Sequence, residues 1–542
     1  MKHCLTKQTR RQRWGSYLNR GLLFRALGFL EKQDPQGGNR LGSKVMKENM
    51  VEFRSSDRHF SKTKIVATVG PAVDAVSKLV ELIEAGVDVF RINAAHGTPE
   101  EHEEWLKKIR QAAKESGRPI ATLVDLAGPK IRLLPIPGDV FHCVTGQEVR
   151  FVRGQPGEKG ELGTTYEPLV DELEPGDRVV LADGMVSLVV KRKEKDTAVC
   201  QVVQPGTVRS RQGVNLPGVK LKVPAMDDRD RERALWAARA GVDFIGLSFV
   251  RRPEDVVELK ELLKEAAETD DWDVWELERP RIVAKIEKPE AVQPGTLERI
   301  IETTDVVMVA RGDLGVEIDI DRLPVVQKEI IEACHRQFKP VIVATQMLES
   351  MQHSRLPTRA EATDVANAVW DGADACMLSA ETAVGDYPVE AVKIMHRLAL
   401  AAEKFRKSCR NSGHLWPEWK APNVPATTQG VCYAAGHLAE ELKAKAVVVQ
   451  TLTGSTPLVL SKQRWSVPVV AVSENERLVR RMNLYWGVLP YQIGSTLSGQ
   501  ELLDLLRERR LIDVTSGDRF VVTWQAGSAD SRHNTLSVHV VP

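Results

Sequence analysis

The segment Arg281–Gly315 carries the residues best equipped for chemistry in this chain. It holds two short β-branched runs, Ile282–Ile286 and Val306–Val309, with a helical stretch, Leu297–Thr303, between them. Runs of this kind read as strands buried on both faces, as in parallel sheets. Lys285 and Glu287 end the first run, and Arg311 and Asp313 end the second. Lys285 and Glu287 are two positions apart, so their side chains share one face of the strand. A lysine and carboxylates at the carboxyl ends of apolar strands are the layout of a barrel active site. A single Lys–Glu pair is more often a surface ion pair of little consequence. Two such ends in adjacent strand–helix units, the second running into Gly312-Asp313-Leu314-Gly315, argue for a site instead. The backbone N–H groups of that glycine turn, at a helix start, suit a substrate carboxylate.

The elements that must position these residues follow a strand–helix rhythm that begins at Lys64. Lys64–Gly70 reads as a strand, Val76–Ala85 as a helix, Asp88–Asn93 as a second strand, Pro99–Ser116 as a helix with its acids early, and Ala121–Leu126 as a third strand. Such alternation implies a parallel sheet. At about Leu133 the rhythm breaks, and residues 134–220 become short alternating strands separated by turn residues, as in a small β-barrel. It resumes at Leu221. Phe244–Phe249 is strand four, Val341–Thr345 and Ala375–Ser379 are strands seven and eight, and Tyr387–Phe405 is the last long helix. An acidic insert, Asp270–Glu278, leads into the start of strand five and belongs on the face opposite the site. Ser408–Asn423 reads as a linker, and Thr427–Pro542 restarts a strand–helix pattern.

At 542 residues the chain is too long for one core, so two to four domains are expected. A composition of 42% hydrophobic and 27% charged residues is that of a globular protein, and the net charge of +1 gives no case for nucleic acid or an anionic membrane surface. The 7 cysteines form no CxxC pair, which points to a reducing, cytoplasmic compartment. No uncharged apolar run is long enough to span a bilayer. Residues 1–60 begin with Arg10, Arg11, Arg13, Arg20 and Arg25 before the first acid, Glu31. An organelle transit peptide has that bias; the reading preferred here is a disordered extension, or a start upstream of Met46 or Met50 as the true initiator.

Several of these stretches resemble pyruvate kinase. They are VAKIEKPE around Lys285, VMVARGDLGVEI around Asp313, ATQMLESM (Ala344–Met351), PTRAEATDVANAVWDGAD (Pro357–Asp374), GVNLPG (Gly213–Gly218) and TKIVATVGPA (Thr63–Ala72). The resemblance runs from about Lys62 to the C-terminus. It implies a (β/α)₈ TIM barrel in two parts, 61–133 and 221–407, an inserted β-barrel cap at 134–220 that closes as a lid, and a C-terminal α/β effector domain at 424–542. It implies phosphoryl transfer from phosphoenolpyruvate to ADP, giving pyruvate and ATP, the last step of glycolysis, in a homotetramer. A lid over the phosphates excludes the water that would hydrolyse the transferring group.

The resemblance also implies residue roles. Glu287 and Asp313 hold Mg²⁺, or Mn²⁺ in its place; one or two carboxylates are enough for such an ion. Lys285 faces the phosphoryl group and the enolate oxygen, where a fixed cation stabilises developing charge. Thr345 helps deliver a proton to the enolate carbon, and Ser379 belongs to the same relay. Arg91 offers a fork of donors to phosphate, with Gly312 and Asp313 also at the substrate. Asn93, His96, Arg132 and Arg211 contact the nucleotide. Where the family has two cap lysines, this chain has Arg211 and Gln212, which removes one positive charge. In the C-terminal domain Thr451, Thr453, Gly454, Ser455 and Thr456 match a loop that cradles an effector phosphate. Ser455 replaces the family's common arginine, and the distal loop Gln525–Asn534 is poor in glycine; a sugar monophosphate or nucleotide fits this better than a bisphosphate.

Many relatives bind K⁺ through four motif positions that here read Asn93, Ala95, Asp125 and Leu126. Ala95 stands where the family has a serine, so one oxygen ligand is gone. Lys130 stands where K⁺-requiring relatives have glutamate. The lysine-bearing branch is thus implied, with the Lys130 ammonium beside Asp125 in place of the ion and no requirement for K⁺. Two other readings remain: another Mg²⁺-dependent phosphoenolpyruvate or 2-oxoacid barrel enzyme such as a lyase, or a non-catalytic sugar-phosphate sensor. GVNLPG and the C-terminal domain argue against the first; intact Lys285, Glu287, Asp313 and Thr345 argue against the second.

Overall fold

A computed structural model describes residues 60–542 apart from 159, 220, 270–277, 411–420, 422–423, 509–511, 513 and 525–534. The N-terminal extension, nearly all of the acidic insert and of the expected linker, and the distal loop Gln525–Asn534 therefore lie outside the described residues.

Eight parallel strands close into a barrel: β1 (Lys64–Thr68), β2 (Val89–Asn93), β3 (Ala121–Asp125), β4 (Phe244–Leu247), β5 (Arg281–Ile286), β6 (Val306–Ala310), β7 (Val341–Ala344) and β8 (Ala375–Leu378). Each pairs with its neighbours in sequence order, and β8 returns to β1. The apolar runs read as strands because both faces are covered. Ile282, Ala284 and Ile286 pack outward under the helices, while Val283 belongs to the barrel interior. That interior is filled by Val66, Val89, Leu123, Phe244, Met308 and Met377 among others.

This parity decides the site. Two residues beyond an inward apolar position stands another inward position, now at the carboxyl-end mouth. Val66 is followed in this way by Thr68, Val89 by Arg91, Leu123 by Asp125, Val283 by Lys285 and Met377 by Ser379. Five strands, β1, β3, β4, β7 and β8, stop one or two residues short of their expected ends, and at three of them the backbone turns sharply. Phe249, beyond β4, has φ +53°, Thr345, beyond β7, has φ +65°, and Ser379 caps the short helix Ala380–Ala383.

Between β3 and β4 the chain builds the cap. Six strands (Val214–Asn215, Arg178–Leu181, Val186–Glu194, Thr197–Gln204, Glu148–Val152 and Glu161–Leu162) form one sheet, and Val140–Cys143 pairs with Gly206–Arg209. These enclose a core of their own that includes Phe151, Leu181 and Leu188. Among the described residues their hydrogen bonding does not close into one ring.

The C-terminal domain is a five-stranded sheet of β9 (Ala446–Gln450), β10 (Val469–Ser473), β11 (Val488–Gln492), β12 (Arg519–Trp524) and β13 (Thr535–Val540), in the order β11-β10-β9-β12-β13. Only β13 runs antiparallel. It packs beneath the barrel floor: Leu484 joins the barrel's interior cluster, Lys462 and Arg464 pair with Asp374 just before β8, and Arg480 pairs with Asp243 just before β4. The Lys64 ammonium donates to the Val488 carbonyl across the same floor. Of the acidic insert only Glu278 is described, and its carbonyl accepts from Arg477 and Arg481 on this face.

Candidate active site

Lys285 is the centre of a buried charge cluster at the barrel mouth. Its ammonium lies 3.0 Å from Glu287 Oε1 and 3.2 Å from Asp125 Oδ1, and donates to Ser248 Oγ at 2.7 Å. Burial alone would lower the lysine, but the carboxylates of Asp125 and Glu287 outweigh it and hold the ammonium above the ordinary lysine range. Burial likewise works against the Asp125 anion. Lys285 and Arg91 overcome that penalty and keep its carboxyl below the usual range. Arg91 meets Asp125 Oδ2 through Nε and Nη2, both at 2.7 Å, and reaches Thr68 Oγ1 at 3.1 Å.

Glu287 is 1% exposed and accepts the Phe249 N–H at 2.7 Å. Burial and the nearby Asp313 push its carboxyl up, against the pull of Lys285. A buried carboxylate whose charge is disfavoured by a second carboxylate at the barrel mouth fits a divalent cation. Among the described residues no group of three or more His, Cys, Asp or Glu side chains gathers to hold a metal, here or elsewhere, so these two carboxylates would need ligands from outside the protein. The donor set is carboxylate oxygen, few in number, which suits Mg²⁺ or Mn²⁺ with substrate and water completing the shell.

Asp313 does not sit in a glycine turn. β6 passes directly into the helix Arg311–Glu317, and the Gly312 N–H, expected to face a substrate carboxylate, donates to Thr345 Oγ1 at 2.7 Å. Thr345 in turn donates to its neighbour's carbonyl, Ala344 O, at 2.6 Å. A β-branched residue at φ +65° is a genuine backbone outlier, of a kind that costs about 1–3 kcal/mol and gathers at functional sites. Lys130 corrects a second expectation. Its ammonium lies 3.1 Å from Asp313 Oδ1, not against Asp125, whose partners are Arg91 and Lys285. Both Lys130 and Asp313 remain partly exposed at the mouth.

The pyruvate kinase barrel-domain family model matches residues 60–392, and the family's alpha/beta-domain model matches residues 429–539. The chain belongs to the pyruvate kinase family. A pyruvate kinase of Geobacillus stearothermophilus is 39% identical over 487 residues, covering 89% of this chain and 80% of that protein. One of Corynebacterium glutamicum is 40% identical over 487 residues, covering 88% and 97%. The crystal structure of a pyruvate kinase from Cryptosporidium parvum superposes with a TM-score of 0.79 at 33% identity, over 89% of this chain and 96% of that one. As a member of this family the chain is an enzyme, a phosphotransferase, and its barrel, extra sheet domain and C-terminal α/β domain are the family's fold.

The remaining candidates spread outward from this centre. Asn93 ends β2, and its Oδ1 accepts the Ala95 N–H at 3.3 Å. His96 is exposed in the following loop, and its carbonyl accepts from His102 at 2.7 Å. Arg132 and Arg211 are both exposed at the base of the cap, with Arg132 Nη1 donating to the Arg211 carbonyl at 3.2 Å. Ser379 is half-buried, and its N–H donates to Glu381 Oε2 at 2.7 Å. In the C-terminal loop the structure divides the expected effector set. Thr451 and Thr456 are 3% and 2% exposed, and the Thr451 hydroxyl is taken by the Gly454 N–H at 3.0 Å. Thr453 and Ser455 are exposed and bond each other at 2.8 Å at the start of the helix Ser455–Lys462. The polar face of this loop is thus two hydroxyls, not four.

Sequence reasoning missed Ser248 and the Phe249 N–H, which hold Lys285 and Glu287. Strand parity carries the signal for Ser248, which stands four residues beyond the inward Phe244. It also gave Arg311 no role.

Proposed function

We propose that this site transfers the phosphoryl group of phosphoenolpyruvate to ADP with Lys285 as the fixed cation of the transfer. The bond between phosphorus and the enol oxygen breaks, a bond from phosphorus to a terminal oxygen of ADP forms, and the enolate left behind takes one proton at its methylene carbon to become pyruvate. The observation that carries this reading is a lysine held charged at 9% exposure between two carboxylates, one of them facing Asp313. Such a preorganised ammonium opposes the charge that grows on the enol oxygen and needs no reorganisation during reaction. Glu287 and Asp313 would hold the divalent ion, which supplies Lewis-acid neutralisation of phosphate charge when bound. Arg91 would orient the phosphoryl group from β2, Gly312 and Asp313 would border the substrate, and Thr345, backed by Ser379, would hold the proton path at the carbon.

The nucleotide would lie towards Asn93, His96, Arg132 and Arg211, with the cap closing over it. Lys130, beside Asp313, would supply at the phosphates the positive charge that K⁺ supplies in other relatives. Thr453 and Ser455 would meet a phosphorylated effector. A cytoplasmic homotetramer acting at the last step of glycolysis is the setting that accompanies this reading.

The test is a coupled assay with phosphoenolpyruvate, ADP and Mg²⁺. Pyruvate and ATP should appear in equal amounts, and neither should form without the divalent ion. Pyruvate without ATP would indicate a lyase or phosphatase, and neither product would indicate a sensor; either result refutes the transfer.

A further inference from the structure

Thr345 and Gln346 follow β7 with φ of +65° and +52°, two consecutive non-glycine residues in the left-handed region. Such a turn persists only where its surroundings over-determine it. What does so here is one side chain. Arg311, 7% exposed at the end of β6, donates through Nε to the Ala344 carbonyl at 3.3 Å and through Nη2 to the carbonyls of Thr345 and Gln346 at 2.7 and 3.2 Å. Its Nη1 is fixed by Asp364 Oδ2 at 2.6 Å, from the helix Arg359–Asp371. The next residue, Gly312, gives its N–H to the Thr345 hydroxyl at 2.7 Å. Arg311-Gly312 therefore grips Thr345 twice, the backbone by guanidinium and the side chain by amide. A Cβ at Gly312 would stand 3.4 Å from Thr345 Oγ1, which is ordinary contact; the guanidinium is what enforces the turn.

We infer that Arg311, anchored by Asp364, is a positioning residue that holds the Thr345 hydroxyl in register for the proton step. The inference rests on the reading of Thr345 given above. Only a planar fork of donors spans three successive carbonyls at fixed angles; an ammonium is a point charge on a flexible stem. If the clamp loosens, the turn relaxes towards ordinary φ and the hydroxyl moves, while Lys285, Arg91 and the two metal-site carboxylates keep their own supports. The loss should fall on protonation at carbon more than on substrate binding.

The experiment compares Arg311→Lys, Asp364→Asn and Thr345→Ala in the full-length enzyme. Three quantities are read: turnover, KM for phosphoenolpyruvate, and deuterium exchange into the methyl group of pyruvate in the presence of Mg²⁺ and ATP, which reports enolisation alone. In Arg311→Lys, exchange and turnover should each fall by about 10- to 100-fold, the cost of misplacing a reacting group by roughly 1 Å, with KM nearly unchanged. Asp364→Asn keeps the shape and an acceptor, guards against a folding failure in the first variant, and should show a smaller loss in the same direction. Loss of exchange in Thr345→Ala, with parental rates in the other two variants, overturns the clamp alone. Parental exchange in all three overturns the role of Thr345 and the clamp with it. A rise in KM that accounts for the whole loss in Arg311→Lys and Asp364→Asn makes the clamp merely structural and also overturns the proposal.

Discussion

Replacing Lys285 by Met removes one ammonium and keeps most of the side-chain length, so its consequences follow from the contacts at 3.0, 3.2 and 2.7 Å. At an effective dielectric of about 20, a charge pair at 3.0 Å is worth roughly 5.5 kcal/mol and one at 3.2 Å roughly 5.2 kcal/mol. The two carboxylates do not lose equally. Asp125 retains both contacts from Arg91 and stays compensated. Glu287 retains the Phe249 N–H, loses its cation and still faces Asp313, so its carboxyl should rise further. Two effects are expected. Turnover should fall by about 10²–10³, the usual cost of deleting a preorganised group aimed at developing charge. At a pH alkaline enough to ionise Glu287, Mn²⁺ should bind more tightly, because a competing cation has gone. A tenfold gain needs only about 1.4 kcal/mol, a quarter of the pair energy lost. The assay is steady-state turnover alongside Mn²⁺ titration by electron paramagnetic resonance, with circular dichroism to confirm folding. Turnover within tenfold of the parent in a folded variant would refute the role of Lys285. Weaker Mn²⁺ binding would refute the shared use of Glu287.

Turnover in tetramethylammonium buffer with Mg²⁺ should not rise on adding K⁺. Lys130→Glu, which also sets a like charge beside Asp313, should lose activity with at best partial recovery in K⁺; strong K⁺ stimulation of the parent enzyme would falsify the substitution by lysine. Replacing Thr453 and Ser455 by Ala should abolish activation by any phosphorylated effector and spare basal turnover, whereas Thr451→Ala, which empties a buried hydrogen bond, should lower the thermal midpoint; unchanged activation curves for the double variant would remove the loop from regulation. Asp305 is half-buried and meets the buried Arg279 at 2.7 and 2.9 Å, and although desolvation alone would raise its carboxyl, the guanidinium holds it well below the usual range. A depressed folded-state value means that the stabilisation is present above the ordinary aspartate pKa of about 4 and is lost as pH falls towards the folded value. Asp305→Asn should therefore cost about 3–5 kcal/mol at pH 7, with the gap to the parent narrowing in acid; a gap independent of pH would exclude that origin.

The sequence by itself determined the strands, the fold class and the central pair. A strand buried on both faces must be a continuous β-branched run, and a period of two places Lys285 and Glu287 on one side of it. The family motifs then carried the fold and the reaction class. What the sequence left open depends on approaches between residues far apart in the chain. Lys130 could be assigned to the mouth of strand three, but the partner expected there, Asp125, is not the one it finds. It meets Asp313, 183 residues away, because β3 and the helix after β6 border the same opening. Thr451 and Thr456 look like loop hydroxyls until the packing of the helix Ser455–Lys462 buries them. Arg311 reads as a charged residue at a strand end, with no role of its own. Its three carbonyl partners exist only because the turn after β7 goes left-handed, and neither Thr345 nor Gln346 prefers that backbone on its own. Local pattern decides which face a side chain takes. Closure of the barrel decides what it finds there, since the ring brings the ends of strands distant in sequence to within a hydrogen bond of one another.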